Sequence, residues 1–117
     1  PVTRLVLPLP PNRANARWHW RTEKKLRENY YLICTVLHPR PLKTVLTRCS
    51  IACDLYLWSQ MDVDNAYGRL KWALDWMQGR YILDDSPDVI EALTLKQHID
   101  RKNQRLEIAI EDLSDAE

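Results

Sequence analysis

The chain has 117 residues, of which 45% are hydrophobic and 28% charged, and its formal net charge is +1. This length fits one domain, and the composition is too apolar for a disordered chain. The longest apolar run, residues 30–37, is far shorter than the roughly 20 residues that cross a bilayer, and no leading segment resembles a secretion signal. We therefore expect a single folded domain, residues 1–117, that is neither membrane-inserted nor secreted, with 113–117 as a frayed tail.

The first half of the chain predicts a strand, a helix and a second strand. Val2 to Leu7 reads as a short strand that ends at the prolines that follow. Apolar residues then recur at helical spacing as far as Leu37, which predicts a helix with Thr22 as its N-cap. Strict alternation over residues 48–58 predicts a half-buried strand.

The second half predicts one more helix and two more strands. An apolar stripe predicts a helix from about Asn65 to Met77, with Asp64 at its N-cap position and Gly79 placed to end it. Residues 89–97 and 105–111 read as two strands joined by a hairpin turn at 100–103. The order strand, helix, strand, helix, strand, strand predicts an α+β fold in which two helices pack on one mixed sheet.

The three cysteines, Cys34, Cys49 and Cys53, predict buried thiols. They form no Cys-x-x-Cys motif, and Cys49 and Cys53 have no histidine at zinc spacing. We therefore expect reduced core thiols in a cytosolic protein.

The charge is divided unevenly along the chain. Residues 1–49 hold ten lysines and arginines and two glutamates, whereas residues 50–117 hold seven basic and fourteen acidic residues. An enzyme that uses a metal ion to act on a polyanion needs one surface for phosphates and another for carboxylates around the cation. Solvated helix faces are the alternative interpretation of the same pattern.

Aspartates bracket the second predicted helix. Asp62 and Asp64 precede it, and Asp84 and Asp85 follow it. In extended backbone, residues two apart project to the same side, so Asp62 and Asp64 would aim at one point. Adjacent carboxylates repel, and a hard divalent cation such as Mg²⁺ neutralises them while keeping positions open for a phosphate. We expect the acidic side chains from both ends of the helix to converge on a shared ion; a helix cap and a tight turn are the simpler alternatives.

Lys71 fits the same scheme. It lies about two helical turns beyond Asp64, and a helical lysine bends toward the helix N-terminus, which would carry its ammonium toward the carboxylates. The simpler alternative is an ion pair with Asp75, four residues further along.

These motifs resemble the RusA family of Holliday junction resolvases. The resemblance covers nearly the whole chain and rests on three segments: the opening LVLPLPPN, the aspartates with Lys71 and Ile82-Leu83-Asp84-Asp85-Ser86, and the closing alternation of residues 106–110. It implies a homodimeric endonuclease that uses Mg²⁺, with Mn²⁺ as a substitute, to cut paired strands of four-way DNA junctions, and that is common in phages and prophages. By the same resemblance Asp62, Asp64 and Asp85 would bind the metal ion and Lys71 would be the catalytic lysine. The usual position of the family lysine, four residues after the second aspartate, is occupied by Gly68.

The basic N-terminal part predicts the DNA contacts. Phosphates would meet the five basic residues of the loop and first helix, Arg13, Arg17, Arg21, Lys24 and Lys25. The aromatic residues 18–20 would stack on unpaired bases or pack within the loop. A flap or fork nuclease and a catalytically inert junction-binding protein remain alternatives. The expected setting is the cytoplasm of a bacterium or of a phage-infected host.

Overall fold

A computed structural model describes residues 1–12 and 17–114 of the chain. The elements in chain order are β1 (Val2–Leu7), α1 (Trp20–Leu37), β2 (Cys49–Leu57), α2 (Val63–Gly68), α3 (Lys71–Met77), β3 (Ile90–Ile99) and β4 (Arg105–Asp112).

The four strands form one mixed sheet in the order β1-β4-β2-β3. β4 runs antiparallel to both β1 and β2, whereas β3 runs parallel to β2. The predicted hairpin of residues 89–97 and 105–111 is therefore wrong, because β2 lies between β3 and β4 in the sheet. Alternate residues of β2, from Cys49 to Leu57, are buried, and they form the centre of a core that the helices cover. The predicted α+β fold with a mixed sheet is confirmed.

The helices are fixed to each other by aromatic side chains. Tyr30 of α1 and Trp72 of α3 lie with ring centroids 6.3 Å apart, and the Trp76 indole N–H donates to the Thr35 hydroxyl at 3.1 Å. The Tyr30 hydroxyl donates to the Pro8 carbonyl at 2.8 Å, which ties the segment after β1 to the same layer. Both tryptophans therefore belong to the core.

Two predicted helix boundaries are wrong. α1 begins two residues before Thr22, and its N-cap is His19, whose ring nitrogen accepts the Arg21 backbone N–H at 3.2 Å. The second predicted helix starts earlier, with Asp62 rather than Asp64 as its N-cap.

The second predicted helix is also divided into α2 and α3. The backbone N–H of Arg69 bonds to the carbonyls of both Asn65 and Ala66, and that of Leu70 bonds to Tyr67. Bonds to the residue three positions back tighten the last turn of a helix. The apolar stripe continues across this break, which is why its periodicity did not reveal it.

The cysteines agree with expectation, whereas the described part of the C-terminal segment does not. All three thiols are unpaired and buried. Leu113, predicted to fray, instead donates its N–H to the Arg48 carbonyl at 2.9 Å. Residues 115–117 of the predicted tail lie outside the described residues.

Within residues 1–12 and 17–114, no helix has the length and hydropathy needed to cross a membrane.

Candidate functional site

Asp62 and Asp64 lie where the chain leaves β2 and enters α2. The preceding residue, Met61, is held from two sides by one amide of β3: its N–H donates to Gln97 Oε1 at 2.7 Å, and its carbonyl accepts from Gln97 Nε2 at 2.9 Å. Asp62 is extended, with φ −59° and ψ 145°, and Asp64 lies in the first turn of α2. A rigid attachment therefore precedes the acidic pair.

Both carboxylates of this pair are exposed, and neither accepts a side-chain hydrogen bond or forms an ion pair within the described chain. Each carboxylate offers two hard oxygen ligands. Mg²⁺ is commonly held by one or two protein carboxylates, with water and substrate phosphate completing its shell. Asp62 and Asp64 alone therefore fit the chemistry of a magnesium site.

The second acidic pair, Asp84 and Asp85, lies in the turn before β3. Asp84 Oδ1 accepts the Ser86 backbone N–H at 2.8 Å. Hydrogen bonds from Ser86, its side chain first and its backbone second, lower the pKa of the Asp84 carboxyl below its ordinary value. Asp84 thus stabilises a turn, while the neighbouring Asp85 is exposed.

The fold places the two acidic pairs at opposite ends of β3. Met61, beside Asp62, is bound to Gln97, whereas the turn that contains Asp85 leads into Ile90, whose N–H bonds to Ser86. At about 3.3 Å per residue, the seven steps from Ile90 to Gln97 cover about 23 Å. Within the described residues, no three His, Cys, Asp or Glu side chains are arranged to hold a metal ion. The expected convergence of Asp62, Asp64 and Asp85 on one ion is therefore absent within a single chain.

The parallel pairing of β2 and β3 explains this separation. A connection between parallel strands must run from the C-terminal end of one strand back to the N-terminal end of the next. These two ends lie at opposite ends of the strands. Asp62 follows β2, and Asp85 precedes β3. The aspartates bracket the helices in sequence, and the same crossover separates them in space.

Lys71 forms the simpler of its two predicted contacts. It is the first residue of α3, and its Nζ lies 3.4 Å from Asp75 Oδ2. Because α2 and α3 are separate helices, the regular two-turn relation between Asp64 and Lys71 is lost. Gly68, the usual lysine position of the resembled family, is exposed, and an added Cβ there would meet no described atom within 4 Å.

Arg69 connects the chain before the acidic pair to Pro10, just before the basic segment, residues 13–25. Arg69 was not identified from the sequence. Its Nε donates to the Pro10 carbonyl at 2.8 Å, and one terminal nitrogen lies 3.6 Å from Met61 Sδ. Burial lowers the pKa of its guanidinium. Pro10, which leads into the basic segment, is thus fixed beside Met61, the residue that precedes Asp62. Pro10 and Arg69 are 59 residues apart, and no spacing signal links them.

Four of the five basic residues predicted to meet DNA belong to the described chain: Arg17 precedes α1, and Arg21, Lys24 and Lys25 lie on its first two turns. Arg17, Arg21, Lys24 and Lys25 are exposed, and Arg13 lies outside the described residues.

The adjacent aromatic residues differ from one another in their environment. Trp18 packs against the core, whereas Trp20 is 63% exposed and lies under the Arg21 guanidinium, 5.2 Å from its ring centroid. His19 is occupied as the N-cap of α1. Trp20 is therefore the aromatic side chain available for stacking on a base.

The two histidines beyond this region have structural partners. His38 Nε2 lies 2.8 Å from the Val6 carbonyl, and His98 Nε2 lies 2.7 Å from Asp54 Oδ1. His98 also stacks on Tyr56, with centroids 4.6 Å apart. The first contact joins the end of α1 to β1 and the second joins β3 to β2, and neither includes the acidic pair.

Comparison with known proteins adds no relative: no protein-family model matches the chain, and no curated protein sequence matches it either.

Proposed function

We propose that this chain is a Mg²⁺-dependent endodeoxyribonuclease that acts as a homodimer and cuts paired strands of four-way DNA junctions. The observation that carries the proposal is the contact of Arg69 with both Pro10 and Met61. It holds Pro10 beside Met61, the residue before Asp62, so the chain enters its basic segment, residues 13–25, from a point near the free carboxylates. The resemblance of the sequence motifs to RusA-like resolvases supports the same activity.

Asp62 and Asp64 would hold the metal ion. When bound, Mg²⁺ supplies a Lewis acid for the scissile phosphate and an activated water as nucleophile. The chain itself contributes two fixed carboxylates, because Gln97 immobilises the backbone before Asp62 and α2 begins directly after it. Lys71, exposed on its side-chain end and loosely paired with Asp75, is available to exchange that partner for a phosphate oxygen.

The basic residues would bind phosphates flanking the cut. Arg17, Arg21, Lys24 and Lys25 project from one segment, and ionic contacts of this kind position DNA without reading its sequence. Trp20, with Arg21 against its ring, would stack on an unpaired base at the branch point.

The dimer follows from the substrate. Symmetric cutting of a four-way junction needs two active sites, and each chain has one free acidic pair. The unpaired buried thiols agree with a reducing cytoplasm, where the DNA substrate also lies.

A junction-binding protein without catalytic activity is the second candidate. The separation of Asp85 from the acidic pair and the pairing of Lys71 with Asp75 favour it. It shares the basic segment and Trp20 with the nuclease, so DNA binding alone does not distinguish the two.

Cleavage of a synthetic four-way junction in the presence of Mg²⁺ distinguishes them. We expect paired cuts by the parent chain, none in EDTA, and a loss of at least about 100-fold in the single-turnover rate for Asp64→Asn, with junction binding retained. Asp88→Asn is the matched control, since Asp88 is also exposed and lies beyond the second acidic pair. A parent chain that binds the junction tightly but leaves it intact would establish the inert protein instead. Flap and fork substrates, assayed in parallel, test the choice of branched DNA.

The basic segment has its own test in the salt dependence of junction binding. Each phosphate contact contributes about 0.9 to the slope of log K against log salt concentration. We expect Lys24→Ala combined with Lys25→Ala to reduce that slope by about 2, and Lys43→Ala, outside the segment, to leave it unchanged. Equal slopes for the two variants would remove α1 from the DNA interface.

A further inference from the structure

α1 has an apolar face that the fold does not cover. Tyr30 and Cys34 on one side of the helix are buried in the core. In the C-terminal half of the same helix, Leu32, Ile33, Val36 and Leu37 are exposed by 62%, 41%, 70% and 54%. Positions separated by three or four residues share a helix face, so these four side chains form one stripe, which we call the α1 stripe.

We propose that the α1 stripe is the contact between two copies of this chain, packed as antiparallel helices about a two-fold axis. The inference rests on the proposed function to the extent that paired cutting requires two copies. The surface itself gives two independent reasons for a second copy as the occupant, one from area and one from charge.

The stripe supplies about half of the area that a stable dimer contact buries on each partner. The four residues expose on the order of 400 Å² of apolar surface per copy, which is as large as the largest apolar patch of a typical monomer. A stable interface buries about 800 Å² per partner, so the stripe would supply an apolar centre of about half that area. Next to Leu37, an open groove of about 430 Å³ reaches Val6 and Arg105 and provides adjoining surface for the rim.

The charge pattern of α1 fits a second copy packed in one direction. Residues 29–39 contain no Asp, Glu, Lys or Arg, whereas the first half of the helix holds Arg21, Lys24, Lys25 and Arg27 against Glu23 and Glu28, four basic and two acidic residues with a net charge of +2. A parallel pair of helices would bring these basic halves together, and like charges repel. An antiparallel pair centred on the uncharged second half places the two basic halves at opposite ends. A two-fold contact of this kind uses the same patch on both copies.

This arrangement gives the dimer two separate DNA-binding ends. Each basic half of α1 points away from the axis and remains free for phosphates, while the α1 stripe is removed from water. The apolar contact and the polyanion contact therefore occupy different halves of one helix.

The test is the oligomeric state of the full chain by sedimentation velocity over a range of concentrations. We expect a dimeric parent and, for Val36→Asp, a dissociation constant at least about 30-fold higher, because the substitution places a carboxylate at the centre of the contact on both copies. Leu83→Asp is the matched control: Leu83 is 52% exposed but lies outside the stripe, and this variant should remain dimeric. Circular dichroism and thermal unfolding verify that both variants fold.

A second measurement does not depend on a disruptive substitution. The native cysteines are buried, so Val36→Cys introduces a single exposed thiol close to the proposed axis. Mild oxidation should link Val36→Cys into a covalent dimer and leave Leu83→Cys as unlinked chains. A monomeric parent, or a Val36→Asp variant that dimerises as tightly as the parent, would overturn the inference.

The failure of this inference is distinguishable from the failure of the proposed function. If the parent chain cuts junctions and Val36→Asp remains a tight dimer, the proposed α1 contact is excluded and the nuclease proposal stands. If Val36→Asp dissociates the dimer but the parent chain never cuts DNA, the α1 contact is retained and the nuclease proposal fails.

Discussion

The two acidic pairs of this protein have the same side chains and opposite structural situations. Asp62 and Asp64 follow a backbone fixed by Gln97, and their carboxylates have no partner in the described chain. Asp84 accepts the Ser86 backbone N–H and thereby closes a turn. In sequence the pairs looked like two parts of one metal site, whereas the structure uses Asp84 of one pair in a turn and leaves both carboxylates of the other pair without a partner in the described chain.

The difference shows how a candidate site is recognised among charged residues. A carboxylate that the fold uses is bonded to nearby donors, and its removal should alter stability. A carboxylate that the fold holds in place without using is available to a ligand, and its removal should alter activity alone. The following predictions test this division, beginning with the largest expected effect.

Asp62→Asn combined with Asp64→Asn should abolish cleavage and leave the fold unchanged. We expect a loss of at least about 1,000-fold in the single-turnover rate on a four-way junction, because no carboxylate would remain for the ion. The thermal midpoint should stay within about 3 °C of the parent, since both residues are exposed and lack side-chain partners. Asp84→Ala should show the reverse pattern, with a lower midpoint and an unchanged cleavage rate. If the double variant of Asp62 and Asp64 lost as much stability as Asp84→Ala, the division between the two pairs would be contradicted.

Arg69→Met should weaken both properties moderately. The substitution keeps much of the apolar volume of the side chain but removes its hydrogen bond to Pro10, which should reduce the free energy of unfolding by about 2 kcal/mol. Because Pro10, at the start of the basic segment, is then no longer fixed beside Met61, we expect the cleavage rate at a saturating concentration of junction to fall by about tenfold. Urea unfolding and single-turnover cleavage measure the two effects. Arg101→Met, which removes a surface hydrogen bond to Trp58, controls for general loss of an arginine.

Asp85→Asn should reduce cleavage by less than about threefold, since within one chain Asp85 lies at the far end of β3 from the acidic pair. The measurement is the same junction assay, with Asp64→Asn beside it.

A loss as large as that of Asp64→Asn would show that Asp85 reaches a metal ion held by another copy. Mixing the two inactive variants would then recover cleavage, because one site of each mixed dimer would have all its aspartates. If Asp64 and Asp85 of the same chain bound one ion, the mixture would stay inactive.

The smallest expected effect concerns pH. The pKa of Asp84 is lowered in the folded chain, chiefly by the hydrogen bonds from Ser86, so its contribution to stability is complete above the ordinary value of 3.8 and is lost as the pH falls through the lowered pKa. The stability difference between the parent and Asp84→Asn should therefore shrink as urea unfolding is measured from pH 6 down to about pH 2. Asp85→Asn serves as the control, and a difference that grows on acidification would contradict the assignment.

Much of the secondary structure could be predicted because it depends on neighbouring residues. The alternation in β2 and the helical spacing in α1 are local patterns, and the structure shows both elements within a few residues of their predicted bounds. The break between α2 and α3 was missed, because an apolar stripe records which side of a segment is buried and is insensitive to a shift of the axis at Arg69 and Leu70.

The candidate site was predictable only in part. The acidic pair Asp62 and Asp64 was visible as two aspartates with one residue between them, but the extended backbone expected for the pair is wrong, because Asp64 lies in the first turn of α2. The contribution of Arg69 was not visible, because its partner Pro10 lies 59 residues away. Likewise, no local pattern reveals whether Lys71 pairs with Asp75 or turns toward Asp64, since both positions fall within its reach along an unbroken helix.

The order of the strands and helices, the alternating faces of β2 and β4 and the presence of two aspartates before α2 could be predicted, because each of these depends on residues close together in the chain. The parallel direction of β3 beside β2, which separates Asp85 from Asp62, and the lack of partners for Asp62 and Asp64 in the described chain emerged only from the packed fold. Parallel neighbours need a crossover connection, which carries the chain from the C-terminal end of β2 back to the N-terminal end of β3.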